Sequence, residues 1–372
     1  MKSGAFQAMA IAAIVPLAGI CGVAQAETEL TFGSWFPAPH LTHKHGLEPY
    51  FERVEKDSGG SLKWTLFVGG AMGNAKASLA NITNEVIDSS VIVDVYLKKD
   101  LPVATTIGEL IALADDPRVF AAASNETQLL DCPSCEEERL AHNLKGLAFY
   151  SSGTYRLMCV EPIKSLKDVE GKKVRGASRV GALAQHLGGT PVGVTTSEQY
   201  EALQRGQVDC TLGSTAWLDS YNLKDVVKTI VDYPLGAYFN AMVMNMNLEK
   251  WNSLTDKERN ALVRNLPGLV GGVVFAYINE GDRAIAAAVE SGNATLYPAS
   301  PDFIKSVKEF RAGEVDLAIE KAKQAGVVDP EGITTAFLEN VEKWRGIVEK
   351  TGDEQAAYEK ALWDEIFSKL NP

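Results

Sequence analysis

One order of elements, strand–helix–strand–helix–strand, is written twice in this chain, and it constrains the fold more than any single motif. Thr28 to Phe36 reads as a strand. His40 to Lys56 reads as a helix, with Leu47, Tyr50, Phe51 and Val54 at helical spacing and Gly59-Gly60 at its end. Ser61 to Val68 alternates as a strand, Ala75 to Val86 is a second helix, and Ser90 to Tyr96 is a continuous apolar strand of the kind buried in parallel sheets. The order recurs as Lys172–Gly176, Val180–Leu187, Thr190–Val194, Ser197–Arg205 and Gln207–Leu212, with Gly206 placed as a helix C-cap. Parallel strands need crossover helices, and ligands gather at the C-terminal ends of such strands. Two such lobes facing each other make a cleft. The residues at those ends are Trp35, Gly69, Gly70 and Tyr96 in the first lobe, and Arg175, Ser178, Gly213, Ser214 and Thr215 in the second. Two longer strands, Gly146–Val160 and Ala237–Met246, are expected to connect the lobes. The break Ser151-Ser152-Gly153 suits a hinge. The rest, Leu254 to Leu370, reads as mainly helical. It carries a capping box at Thr255–Glu258 and a helix start at Ser300-Pro301.

The N-terminus points to export. Lys2 precedes an apolar run from Ala8 to Ile20, and Ala24-Gln25-Ala26 precedes Glu27, the pattern of a signal peptide cleaved after Ala26. The large Ile20 before Cys21 does not suit a lipidation box, and no later stretch is expected to cross a bilayer. Losing residues 1–26 removes one charged group, Lys2, so the formal charge moves from −12 to −13. That balance speaks against a nucleic-acid partner but not against a small anion held by one or two buried arginines. Four cysteines remain, an even number that permits disulfides in an exported protein. Cys132-Pro133-Ser134-Cys135 has redox or metal-binding spacing, but no second CxxC and no thioredoxin-like pattern accompany it. A static surface disulfide or free thiols is the preferred reading.

The opening Trp35-Phe36-Pro37 with His40, the turn Gly69-Gly70-Ala71-Met72-Gly73, the stretch Leu166 to Arg175, then Leu187 to Val192 and Ser197 to Asp209 form an ordered set of motifs. That set resembles the DctP family of TRAP transporter substrate-binding proteins. The resemblance covers about Leu30 to Leu254. It implies an α/β, two-lobed periplasmic binding protein of type II-like architecture, a long helix bracing both lobes, and closure on a carboxylate. The chain divides on this reading into a signal peptide (1–26), lobe one (27–150, with part of 241–290), lobe two (151–240), and a return strand with a helical C-terminal region (241–372). The resemblance puts the ligand-gripping arginine at Arg175, a second arginine at Arg156, and a pocket position at Gly213 to Trp217. There the chain departs from the polar Asn-Pro element of sialic-acid and dicarboxylate members, and Cys210 stands where a glycine is usual. In the implied fold Cys159 and Cys210 lie on adjacent antiparallel strands and form a close pair, a candidate disulfide.

The expected ligand contacts are therefore Arg175, Arg156, Trp217, Ser214, Asn240, Trp35 and Tyr96, each weighed against a plainer role. An arginine can be a surface ion-pair residue and a tryptophan a core residue. Arg175 stands out because a guanidinium meets a carboxylate with two parallel bonds. His40, His43 and His45 do not share one helix face and lack a completing ligand, so no metal and no cofactor is expected. Tyr200 and Leu203 read as core, and Ser197-Glu198 as a helix cap. Chemistry motifs such as GxSxG, HExxH or a phosphate loop are missing. Of transport, ligand sensing and catalysis, transport is the favoured function and the chain is not expected to be an enzyme. The expected partners are a small carboxylate and the two TRAP membrane subunits, with the chain itself a monomer.

Overall fold

The computed structural model describes residues 27–370, so the expected signal peptide and its expected cleavage after Ala26 lie outside the described residues. Lobe one opens with a parallel sheet of β1 (Thr28–Gly33), β2 (Leu62–Phe67) and β3 (Ser89–Ser90), in the order β2-β1-β3. Alternate residues of β1, Leu30 and Phe32, are fully buried. The helix between β1 and β2 begins as a π-turn at His43–Leu47, runs on as Glu48–Ser58, and stops at Gly59 with φ +76°. The second lobe-one helix is shorter than its apolar spacing suggests, Ser78–Thr83, and the chain turns at Glu85 with φ +58°.

The third lobe-one strand is not continuous. It breaks at Val91 into β3 and β4 (Ile92–Val93), which belong to different sheets. Side chains take over the backbone at the break. Asn245 Nδ2 donates to the Ser90 carbonyl at 2.6 Å, and Trp35 Nε1 donates to the Val91 carbonyl at 2.8 Å. Asp94–Tyr96 then forms a 3-10 turn, not strand, which swings Tyr96 towards the second lobe.

β5 (Leu144–Tyr150) ends lobe one, and residues 151–154 carry the chain across to lobe two. There β6 (Tyr155–Cys159), β7 (Lys173–Arg175), β8 (Thr190–Val192), β9 (Cys210–Ser214) and β10 (Thr229–Asp232) form one sheet. β7 runs parallel to both β8 and β9, which is the second β–α–β–α–β unit. β6 is antiparallel to β9 and β10. The chain returns through residues 233–240 into β11 (Ala241–Asn247), paired antiparallel with β4 and β5. The two crossing segments lie side by side: Ser152 N donates to Tyr238 O at 2.8 Å and Tyr155 N to Gly236 O at 2.7 Å. β12 (Thr295–Pro298) completes the lobe-two sheet beside β10. The region after Leu254 is thus not wholly helical, and lobe two draws on residues well beyond 240.

The helix Leu266–Glu290 packs against β5 in lobe one and against β12 and the short helix Trp217–Ser220 in lobe two, so it braces both. Within Asp256–Glu290 lies an 18-residue window long and apolar enough to cross a membrane. The expectation of no such stretch was therefore wrong by length and composition, but 78% of the window is buried inside the protein, as in a core helix. Two disulfides are present. Cys159 and Cys210 are register partners on β6 and β9, with Cα atoms 4.0 Å apart. Cys132–Cys135 closes the start of the helix Pro133–Ala141. Both of its cysteines are buried, which corrects the surface placement.

Candidate functional site

Between the lobes lies a cavity lined by residues of both. Arg175, the last residue of β7, enters it from lobe two. Only 3% of the residue is exposed. Its Nε donates to the Val194 carbonyl at 3.0 Å and its Nη2 to the Tyr96 hydroxyl at 2.9 Å. The guanidinium carbon stands 5.9 Å from the centre of the Trp217 ring, in cation–π range. Among the described residues no carboxylate lies within 4.0 Å of it. A buried guanidinium without a counter-charge is costly, so its surroundings favour an incoming anion.

Tyr96 comes from lobe one. Its hydroxyl accepts from both Arg175 Nη2 and the backbone N–H of Thr196, 3.2 Å away, so it ties the lobes together. Trp217 opens the short helix after β9 and lies flat against the strand end. A Cβ on Gly213 would stand 2.1 Å from that indole, so a residue without a side chain is required there. Gly153 has the same role in the crossing segment, where a Cβ would meet Ser214 Oγ at 2.8 Å and the Tyr277 carbonyl at 3.1 Å. Trp35 forms a wall of the cavity, its ring edge-on to Tyr96 at 6.3 Å.

Three of the seven expected contacts are not brought to this cavity. On β6, Tyr155 faces the cavity, and the alternation of strand side chains turns Arg156 to the opposite face. There Arg156 Nε lies 3.5 Å from Asp232 Oδ1, in a separate groove with Thr154, Thr215 and Asp282. Ser214 is fully buried, its Oγ accepting from Ala216 N. Asn240 sits behind the wall. It donates to Asp94 Oδ2 at 2.8 Å and to the Ala104 carbonyl, and accepts from Ser124 and Gln128.

The residues that sequence reasoning missed are five tyrosines: Tyr150, Tyr155, Tyr221, Tyr238 and Tyr277. They come from β5, β6, the turn after Trp217–Ser220, the return segment and the brace helix. The available signal was positional, since Tyr150 and Tyr155 flank the expected hinge on either side. The rings of Tyr150 and Tyr277 stack at 5.8 Å with 11° between planes. Burial, reinforced by neighbouring phenols, holds Tyr150 and Tyr221 well above the ordinary phenol range, so both keep their protons. Tyr238 donates to buried Asp94, whose carboxyl is pushed up to about 8 by desolvation despite donors from Asn240 and Val95. His40 stacks on Phe36 at 4.0 Å. Burial keeps it neutral, with its pKa well below the usual value. Of the other two histidines, His43 lies 6.1 Å from the His40 ring and bonds Ser34, and His45 faces Glu280 at 3.2 Å.

Residues 32–321 match the model of bacterial extracellular solute-binding protein family 7, DctP. Among curated proteins, the uncharacterized protein YiiZ of Salmonella typhimurium is 25% identical over 173 residues, 45% of this chain and 51% of that one. A solute-binding protein of Sulfitobacter is 26% identical over 50% of this chain and 56% of its own. The chain thus spans about half the length of the curated relatives it matches. A TRAP solute-binding protein from Rhodoferax ferrireducens, solved with copurified benzoate, superposes with a TM-score of 0.76 at 18% identity, over 86% of this chain and 99% of that one. A marine metagenome TRAP protein in complex with 3-hydroxybenzoate gives 0.75 at 23% identity, with the same coverage. At these identities the likeness establishes the fold.

Proposed function

From the premise that this chain belongs to bacterial extracellular solute-binding protein family 7, the DctP family, we propose that it captures a small carboxylate by closing its lobes on Arg175 and hands it to the membrane subunits of a TRAP transporter. The observation that carries this reading is the Arg175 guanidinium, 3% exposed in an interlobe cavity and without a carboxylate partner. A carboxylate there gains two charge-assisted bonds and relieves the cost of the buried cation. Trp217, Tyr96 and Trp35 supply the surrounding walls. Arg156 belongs to a different groove and takes no part. The protein works by binding, not turnover, and acts outside the cytoplasm after cleavage behind Ala26. Two structurally similar TRAP solute-binding proteins were solved with benzoate and with 3-hydroxybenzoate, both carboxylates, which supports the reading.

The test is mass spectrometry of whatever copurifies, followed by a thermal-shift screen of organic acids. A ligand at one hundred times its Kd adds about 2.7 kcal/mol of apparent stability. A screen in which neutral compounds bind and no carboxylate does would sink the reading.

A further inference from the structure

The cavity wall is one-sided in its chemistry. Arg175 is the one cation among its lining residues, and no lining residue is a carboxylate. Nine of the seventeen lining residues are aromatic: Trp35, Phe36, Trp217 and six tyrosines. The remaining polar groups are neutral, and three of them have already committed their protons: Tyr221 donates to Thr196, Tyr238 to Asp94 and Ser152 to the Gly153 carbonyl. The Tyr96 oxygen already accepts two bonds, from Arg175 and from Thr196, so what it has left to offer is its proton. That proton lies beside Arg175, at the end that would hold a carboxylate.

The second end is set by His40. Its Nδ1 accepts from the backbone N–H of Thr42 at 3.2 Å, and burial keeps the ring neutral, so the proton sits on Nε2. Nε2 stands 3.3 Å from the Tyr277 hydroxyl and donates to it. The Tyr277 proton is then directed elsewhere. Tyr150, Thr42 and Trp217 all approach the same hydroxyl, and Trp217 Nε1, a buried donor on the cavity wall, has no partner at full hydrogen-bond geometry among the described residues. A buried donor without an acceptor is costly, and an oxygen brought by a ligand would satisfy the indole N–H.

We propose that the ligand is an aromatic monocarboxylate bearing a neutral oxygen on its ring, with the carboxylate on Arg175 and Tyr96 and the ring oxygen accepting from the corner made by Tyr277 and Trp217. This rests on the carboxylate reading above and narrows it. A second carboxylate would be desolvated without a counter-charge, which disfavours dicarboxylates. An ammonium group would find no anion, which disfavours amino acids. A saturated acid would forgo the stacking that the wall of rings offers. His40 acts as a positioning residue. It touches no ligand and fixes the direction in which Tyr277 donates.

The experiment is calorimetry on the mature protein with benzoate, the three hydroxybenzoate isomers, isophthalate, succinate and phenylalanine. At least one hydroxybenzoate should bind roughly three- to tenfold more tightly than benzoate, the worth of one hydrogen bond. In Tyr277→Phe that ratio should fall to near one, and Trp217→Phe, which removes the indole N–H, should reduce it. A His40→Phe variant should lower the same ratio more than it lowers benzoate affinity, an outcome a merely structural role would not give. Isophthalate, succinate or phenylalanine binding as tightly as the best hydroxybenzoate would overturn the ligand class and leave the carboxylate reading standing. A ratio unchanged in Tyr277→Phe would overturn the assignment of the corner. Failure of every carboxylate to bind would overturn both.

Discussion

Removing the Arg175 side chain does two things at once. It takes away the cation that a carboxylate needs, and it cuts the bonds to Tyr96 and Val194. Truncating one side of a buried charge pair costs roughly 2–5 kcal/mol, or on the order of thirty- to several-thousand-fold in affinity. Calorimetry should show a loss of that size for Arg175→Ala, and much of it for Arg175→Lys, which keeps the charge but loses the planar fork. Binding within threefold of wild type would make Arg175 a structural residue. Because Arg175 is buried and bonded, and not facing open solvent, Arg175→Ala should also lower the melting temperature measurably. Asp94 offers a separate test. Its carboxyl titrates near 8 in the folded protein, above its ordinary value of 3.8. Between those values the unfolded chain has released the proton and the folded chain retains it. This group's contribution to stability is therefore full below about pH 4, declines as pH rises towards 8, and is lost above. Urea denaturation of wild type and Asp94→Asn across pH 5 to 8 should give a stability difference that changes with pH in this sense. A pH-independent difference would refute it.

At the scale of elements, the disulfide Cys159–Cys210 clamps β6 to β9, the strands that deliver Tyr155 and Trp217 to the cavity. It closes a loop of 51 residues, for which the chain-entropy account gives about 4 kcal/mol. Cys159→Ala/Cys210→Ala should therefore lose roughly 2–5 kcal/mol in chemical denaturation, and the three-residue Cys132–Cys135 loop distinctly less. Equal losses would mean that loop length is not the cause. The central strands were legible in the sequence because period-two alternation and glycine stops mark them, as at β2 and β9. The break in the third strand was not, because it depends on Asn245 and Trp35, one of them over a hundred residues away, taking over the backbone at Ser90 and Val91. β10 and β12 are four residues each and carry too little pattern to separate from their surroundings. Arg156 shows the limit of reading a position without its face: the strand was right, and one residue of alternation moved the side chain into another groove. The cavity tyrosines were hidden because each, taken alone, reads as core.

Across the whole molecule, the lobes touch through protein groups at more than one place. Tyr96 bonds Arg175 and Thr196, and Ser178, with φ +51°, donates its hydroxyl to Glu109 of lobe one, which also meets Lys98 and Lys321. Tyr96→Phe should shift the protein towards an open form. Solution scattering would read this as a larger radius of gyration for the variant, and a saturating ligand should shrink it. Radii that match in both conditions would refute a clamp about residues 151–154 and 233–240. The bridge made by Tyr96 also has a kinetic consequence. Arg175 is buried and the cavity is walled by groups from both lobes, so on the clamp reading a captured molecule leaves when the lobes part. Its residence time is then capped by how often the lobes part, however tightly it is held. A receptor of this build gains little for delivery from weaker contacts with its cargo. If it delivers its cargo as proposed, it calls for a docking partner that wins the contest for Tyr96 and Glu109 and so prises the halves apart.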